Sequence, residues 1–430
     1  MKQPRQKLYI KFFEIISFLI KLLFIKNLTT DKSVKKFENL LSNYWNRKEC
    51  FSLSTCRLSL YYVLKSLNLK KGSEVILNPL QIADFVNVII SLDLKPVFVD
   101  MDLDTNSFII EDLKNKINPN TKVVLSTYLT GILPNISLIK DLCEENGIKL
   151  IEDISQSYGS EIDGKKAGTF GFAAIGSLSP GKIISSIGGG FILLDSEEHA
   201  KKINEFIDKE LSLPNKKILF KIGVYQLSVF LATSRVFFDY FTYYLFLLYS
   251  KVSQKKYGEL HRPIYKSSYK ESTIYDNPCV LRSIPEAYFF KFVDIQAEIG
   301  INTFNRNLSY GLKKRQSLAE ILYNNLTPDV IKFIPIKVKD FKESAFWHFP
   351  ILLKSNPNKF QNYLLDNGID VVGYGLKLCS DEASFSSYNI ELKNSKKVYD
   401  NTFFLPLFDD LSEKEIIEVS KVINNYKDFN

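Results

Sequence analysis

Residues 148–194 read IKLIEDISQSYGSEIDGKKAGTFGFAAIGSLSPGKIISSIGGGFILL, and this stretch decides the fold. A buried strand is predicted over Lys149–Glu152, ending on an acid, Asp153. A second apolar run, Phe172–Leu178, passes into Ser177-Leu178-Ser179-Pro180-Gly181-Lys182. The turn Gly188-Gly189-Gly190 leads into a third strand, Phe191–Leu194. An acid at one strand end and a lysine after the next strand can meet at the edge of a single sheet.

Strand and helix signals alternate on either side of it, from Lys71 to Asp195. GSEVILNP, KPVFVDMD and TKVVLSTY read as strands, and ADFVNVIISLDL, IIEDLKNKI and SLIKDLCEENG as helices. Strands separated by helices of this length argue for an α/β fold, a mostly parallel sheet with helices on both faces. Ligands of such sheets bind beyond the carboxyl ends of the strands, where Asp153 falls. Together with the helical residues from 35, this gives a large domain over 35–204. Within it, SLSTCRLSLYYVLKSLNL is a turn of small polar residues opening a helix. Such a helix start offers free amides to a phosphate, although an ordinary N-cap looks the same.

Residues 1–34 are read as an N-terminal amphipathic basic helix. Lys7, Lys11, Glu14 and Lys21 share one side of it, and Phe, Ile and Leu cover the rest. It either packs on the body of the protein or lies in a membrane surface. The same charges interrupt the apolar run, so a secretory signal is not expected. Residues 205–275 form a second apolar segment, KILFKIGVYQLSVFLATSRVFFDYFTYYLFLLYSKV, flanked by lysines. Arg235 and Asp239 break it, leaving no clean run of about 20 apolar residues. It is read as a helical insertion attached to one membrane leaflet, the alternative being burial against the protein or in a dimer contact. A long connecting helix is expected over 276–326, and a small α+β domain over 327–430. The latter closes on SEKEIIEVSKVINNYK, where Ser412 and Glu415 form a capping box.

Composition narrows the function classes. A chain of 430 residues exceeds one ordinary core, and 45% hydrophobic with 24% charged residues excludes global disorder. Five scattered cysteines without a CxxC pair argue against a disulfide framework or zinc site and fit a reducing, cytoplasmic setting. Three histidines without HExxH or HxH spacing give no metal centre. The net charge of +8 interleaves with apolar runs and no reader motif is present, which argues against nucleic acid.

Asp153 and Lys182 carry the chemistry. Pyridoxal phosphate needs an amine to condense with its aldehyde and an anion beside its ring nitrogen. The anion keeps that nitrogen protonated, so the ring withdraws electrons from the substrate α-carbon. A displaced lysine can then move a proton as general base and acid. Ser177 and the 54–58 turn can supply phosphate ligands. Singly, Asp153 could be a helix cap, Lys182 a solvated loop residue and Gly188–Gly190 a tight turn. Their order, spacing and strand-end placement favour the joint reading.

EDISQSYGSEIDGKKAGTFGFAAIGSLSPGKIISSIGGG resembles the core signature of the DegT/DnrJ/EryC1/StrS family of pyridoxal-phosphate sugar aminotransferases, and KKGSEVILNP, KPVFVDMDLDT, TKVVLSTYLTG and LPLFDDLSEKEI agree with it. The resemblance implies transferase fold type I, a homodimer with sites at the subunit interface, and glutamate or a similar amino donor. It implies that Lys182 bonds the cofactor, that Asp153 pairs with the ring nitrogen, and that Gln156 lies beside the ring. Ser177 would hold the phosphate with Cys56 and Arg57, which stand where the family usually shows Gly-Thr. Ile82 falls where many members place an aromatic over the ring. A histidine usual after the second helix is Tyr128 here, and GYGLKL lacks a small-domain histidine often near substrate.

The expected function is a transaminase converting a nucleotide- or lipid-linked keto-sugar to an amino sugar for surface polysaccharide or glycan synthesis. It would be cytoplasmic, peripheral at the cytoplasmic membrane face. The competing readings are a pyridoxal-phosphate enzyme of different reaction type and a non-catalytic membrane-attached scaffold on the same fold.

Overall fold

The computed structural model describes residues 2–133, 135–253, 257, 283–335 and 341–427. Seven strands form the central sheet: β1 (Glu49–Leu53), β2 (Glu74–Leu77), β3 (Lys95–Phe98), β4 (Thr121–Thr127), β5 (Lys149–Asp153), β6 (Ala173–Ser177) and β7 (Gly190–Leu194). Their order across the sheet is β1-β7-β6-β5-β4-β2-β3. The five strands from β6 to β3 are parallel neighbours, and β7 runs against both β6 and β1.

The side-chain period of two explains why this sheet is covered on both faces. Ile76, Val124, Leu150, Ala174 and Phe191 enter one core with Phe37, Leu41 and Trp45 of the helix Lys32–Trp45. Val75, Leu77, Val123, Leu125, Ile151, Ile175 and Ile192 enter the other, against the helices Cys56–Ser66 and Ala83–Ser91. This is the α/β arrangement the alternating signals require.

The C-terminal residues build a separate core around an antiparallel pair, β8 (Phe349–Leu352) and β9 (Thr402–Leu405), with the helices Pro357–Asp366 and Glu413–Asn424. The Ser412–Glu415 capping box is present. A helical run from Asp294 to Asn324, widened to π geometry over Asn307–Gly311, leads into this domain.

At the N-terminus the helix spans Phe12–Phe24, while residues 3–10 form a buried strap. Gln3 donates its N–H to Gly368 O at 2.8 Å and accepts from Asp370 N at 2.9 Å. The helix Phe12–Phe24 packs on Lys216–Thr233, where a Cβ at Gly223 would come within 2.7 Å of Leu19. The chain continues helically through Arg235–Phe237, Phe238–Thr242 and Tyr243–Val252. Residues 254–256 and 258–282, the end of the expected insertion and the start of the expected connecting helix, lie outside the described residues. Among the described residues no helix is long and apolar enough to cross a membrane.

Candidate active site

Parallel strands deliver their last side chains to one edge. Thr127, Asp153 and Ser177 end β4, β5 and β6, three adjacent strands. Beyond them lies a cavity. It is bordered by all seven residues singled out in the sequence: Cys56, Arg57, Ile82, Asp153, Gln156, Ser177 and Lys182.

Strand alternation separates two neighbouring acids. Glu152 faces away from the cavity, accepting the N–H groups of Gly168, Phe170 and Gly171 at 2.7 Å each and the Tyr128 hydroxyl at 2.8 Å. Tyr128 is therefore a core residue tied to Glu152. Asp153 borders the cavity and accepts the Ser155 N–H at 3.0 Å. Burial raises its pKa, while bonds from Ser155 and the nearby charge of Lys182 hold the carboxylate down.

Lys182 ends the turn after β6, its N–H donated to Ser179 O at 3.2 Å. The side chain is buried, with Nζ 3.9 Å from the centroid of the Trp347 ring. Burial draws the amine down to a pKa of about 8, against the opposing charge of Asp153. An amine so placed spends an appreciable time deprotonated near neutrality, as a nucleophile must. The Cys56 thiol is pushed up, first by burial and then by Asp153, so it stays protonated.

The helix Cys56–Ser66 begins on the wall of the same cavity, with Cys56 Sγ 3.6 Å from Ser155 Oγ. Thr55 caps it, accepting the Leu58 N–H at 3.1 Å. The helix start lies directly on β7: a Cβ at Gly190 would stand 2.4 Å from Cys56 N and 2.5 Å from Thr55 C. Only glycine permits that approach, which brings the helix N-terminus to the side of the sheet where Ser177 and Ser179 pair their hydroxyls at 3.0 Å. Arg57 is ion-paired to Asp84 over the Tyr288 ring, and the Tyr288 hydroxyl donates to Asp84 at 2.9 Å. Gln156 accepts the Thr130 N–H at 2.9 Å, and Ile82 is the residue before the helix Ala83–Ser91.

The lining also includes Arg5, Trp347, His348 and Tyr374, which the sequence reading placed in the N-terminal helix, a strand and the GYGLKL stretch without giving them a role at the site. FWHFPILLK reads as one strand, but pairing starts only at Phe349, and Phe346 has φ +44°. That kink turns Trp347 and His348 toward the cavity. The available signal was the adjacency of one of two tryptophans to one of three histidines.

A buried amine of lowered pKa, a buried carboxylate, and a helix N-terminus beside two hydroxyls are the donor set pyridoxal phosphate requires. The described residues fit that group, and the fold is that of the type I pyridoxal-phosphate enzymes. The model of the DegT/DnrJ/EryC1/StrS aminotransferase family matches residues 14–219 and 266–424, and the chain belongs to this family. Residues 220–265 fall between the two matched parts. The uncharacterized protein MJ1066 of Methanocaldococcus jannaschii is 26% identical over 407 residues, 92% of this chain and 90% of that protein. GDP-perosamine synthase of Vibrio cholerae is 31% identical over 188 residues, 44% of this chain and 49% of the synthase. Among solved structures, E. coli GDP-4-keto-6-deoxy-D-mannose-3-dehydratase with bound hydrated PLP superposes with a TM-score of 0.72. It covers 98% of this chain and 99% of its own at 18% identity.

Proposed function

We propose that the chain is a pyridoxal-phosphate-dependent transaminase acting on a nucleotide- or lipid-linked keto-sugar. Its product would be an amino sugar for surface polysaccharide or glycan assembly, with glutamate or a similar donor supplying the amino group. The observation that carries this is the placement of Lys182 and Asp153 on one buried cavity. Pyridoxal phosphate, when bound, supplies an electron sink for the substrate α-carbon. Asp153 keeps a positive charge at the ring nitrogen. The Lys182 amine anchors the cofactor and, once released, carries the proton at Nζ. Ser177, Ser179 and the helix start at Cys56 would hold the phosphate, and Gln156 would stand beside the ring. Mass spectrometry of products from candidate keto-sugars with glutamate tests this. An aminated product lost in Lys182→Ala is expected, and no product from any keto-sugar overturns it.

The neighbouring dehydratase motivates a second reading, a deoxygenation on the same cofactor. Lys182, which can return a proton to the α-carbon, favours transamination. A non-catalytic scaffold would show no lysine-dependent cofactor absorbance.

The reading includes a peripheral contact with an anionic membrane surface. Its support is the exposed apolar set Phe13, Leu23 and Phe24 on the N-terminal helix, with Val236, Tyr240, Phe241 and Val252, all at 62% exposure or more. Lys21, Lys26, Lys217, Lys221 and Lys251 are exposed in the same segments. Apolar side chains fringed by lysines suit a lipid headgroup boundary. Sedimentation with phosphatidylserine vesicles should carry the protein down, and a Phe24→Asp/Tyr240→Asp variant should stay in solution. No sedimentation, with dimers instead dissociated by those substitutions, assigns the face to the homodimer that the family resemblance implies.

A further inference from the structure

The strap over residues 3–10 brings a charged side chain to the cavity. Arg5 borders the cavity and is only 5% exposed. Its Nε and Nη2 donate to Asp370 Oδ2 and Oδ1, both at 2.7 Å. Its plane lies against Phe246 and Tyr257, whose ring centroids are 5.0 and 4.8 Å from Cζ. The Tyr257 hydroxyl donates to Asp370 Oδ1 at 2.5 Å, fixing the carboxylate in turn. The guanidinium is thus held at one edge and on its face. Nη1 is buried and has no hydrogen-bond partner among the described residues.

A buried guanidinium nitrogen left without an acceptor is costly, and such groups are retained where a ligand completes them. Arginine is suited to this, because its rigid fork presents paired donors to a carboxylate or phosphate. Three basic side chains line the cavity. Arg5, Arg57 and Lys182 border it, and Asp153 is the one acid among the described lining residues. Arg57 is paired with Asp84 beside the helix start that faces the cofactor phosphate. Asp153 faces the cofactor ring. Arg5 is paired too, with Asp370 on one edge, and only its Nη1 is left for a second anion. The strap is tied to the lysine turn: Gln6 Nε2 donates to Gly181 O at 3.2 Å, one residue before Lys182. An anion on Arg5 is therefore held at a fixed distance from the reacting amine.

We propose that Arg5 is the substrate anion subsite of this cavity, binding through Nη1 an oxyanion that a substrate carries, either the carboxylate of the amino donor or a phosphate of the sugar carrier. The inference rests on the cavity being the cofactor site. Cofactor absorbance recorded on the same samples reports on that reading separately.

The test is calorimetric titration of the cofactor-loaded protein with two unreactive probes, glutarate for the donor and inorganic pyrophosphate for the carrier. Arg5→Lys keeps a cation against Asp370 but loses the second edge of the fork. Arg5→Gln combined with Asp370→Asn removes both charges, so no buried carboxylate is left unpaired. At least one probe should bind the native protein, and both variants should weaken it tenfold or more while Tm and cofactor absorbance hold. Selective loss of glutarate identifies the donor, and selective loss of pyrophosphate the sugar carrier. Equal binding by native and variant proteins of equal Tm overturns the proposal. So does binding of neither probe to the native protein. Loss of the cofactor itself from folded Arg5→Lys overturns it as well, by placing Arg5 on the cofactor phosphate.

Discussion

The Lys182 ammonium lies 3.9 Å from the centroid of the Trp347 ring, and the same indole donates its N–H to Gly181 O at 2.7 Å. One side chain thus restrains the lysine through both its amine and its preceding peptide. Trp347→Leu removes both restraints. Its rate of cofactor capture should fall about tenfold, the effect of roughly 1.4 kcal/mol. Trp347→Phe keeps a ring face and should fall less. Stopped-flow absorbance on refolded apo-protein measures both.

Asp153→Asn keeps the shape of the side chain and its bond from Ser155 N but removes the charge. Cofactor should still bind, because Lys182 and the helix start are untouched. The transamination rate should fall by about 10²–10³, the effect of losing a charge partner worth two to three pK units. Steady-state assay with the cofactor content checked by absorbance separates the two effects.

Gly190→Ala places a methyl 2.4 Å from Cys56 N. The start of the helix Cys56–Ser66 must retreat, at about 1–3 kcal/mol of stability. The phosphate end of the cavity moves with it. Urea unfolding should show the loss, and dialysis should strip cofactor faster than from the native protein.

Two buried groups set opposite pH limits. Lys182 loses its proton above a pKa of about 8, so capture of the cofactor aldehyde by apo-protein should rise with pH up to about 8 and then level. His348 is held neutral, its pKa lowered to about 3 by burial and by the charge of Lys182. Between about pH 3 and 6.5 the unfolded chain binds a proton that the folded one refuses, so stability rises with pH across that window and is complete above it. At pH 5 the difference is about 2 kcal/mol. His348 stacks on Phe404 with centroids 4.5 Å apart, so His348→Phe should pack there and flatten the acid side of the stability profile.

The site was legible where its parts are local. Strands ending at Asp153 and Ser177, the turn to Lys182 and the glycines before β7 occupy one continuous stretch, and each carries its own period or turn signal. The capping box at Ser412 is local in the same sense. Arg5 was not legible, because its partner Asp370 is 365 residues away and no spacing rule links them. The helix of the first 34 residues is shorter than expected for the same reason. Residues 3–10 find their hydrogen bonds on distant segments, Gln3 and Arg5 at residues 368–370, Gln6 at Gly181 and Tyr9 at Arg306, rather than within a helix. The helical run before that domain starts at Asp294, whose carboxylate accepts the N–H groups of Ser33 and Val34, again a contact far along the chain.

The reversed strand β7 dictates an order of assembly during synthesis. Its pairing partner β1 leaves the ribosome early, yet Glu49–Leu53 has no neighbour until Gly190–Leu194 is made. At ordinary translation speeds that is a wait on the order of ten seconds. The same glycine shapes the helix start at Cys56. A nascent chain stopped short of residue 190 therefore leaves β1 without its pairing partner and the helix start at Cys56 without the strand it rests on.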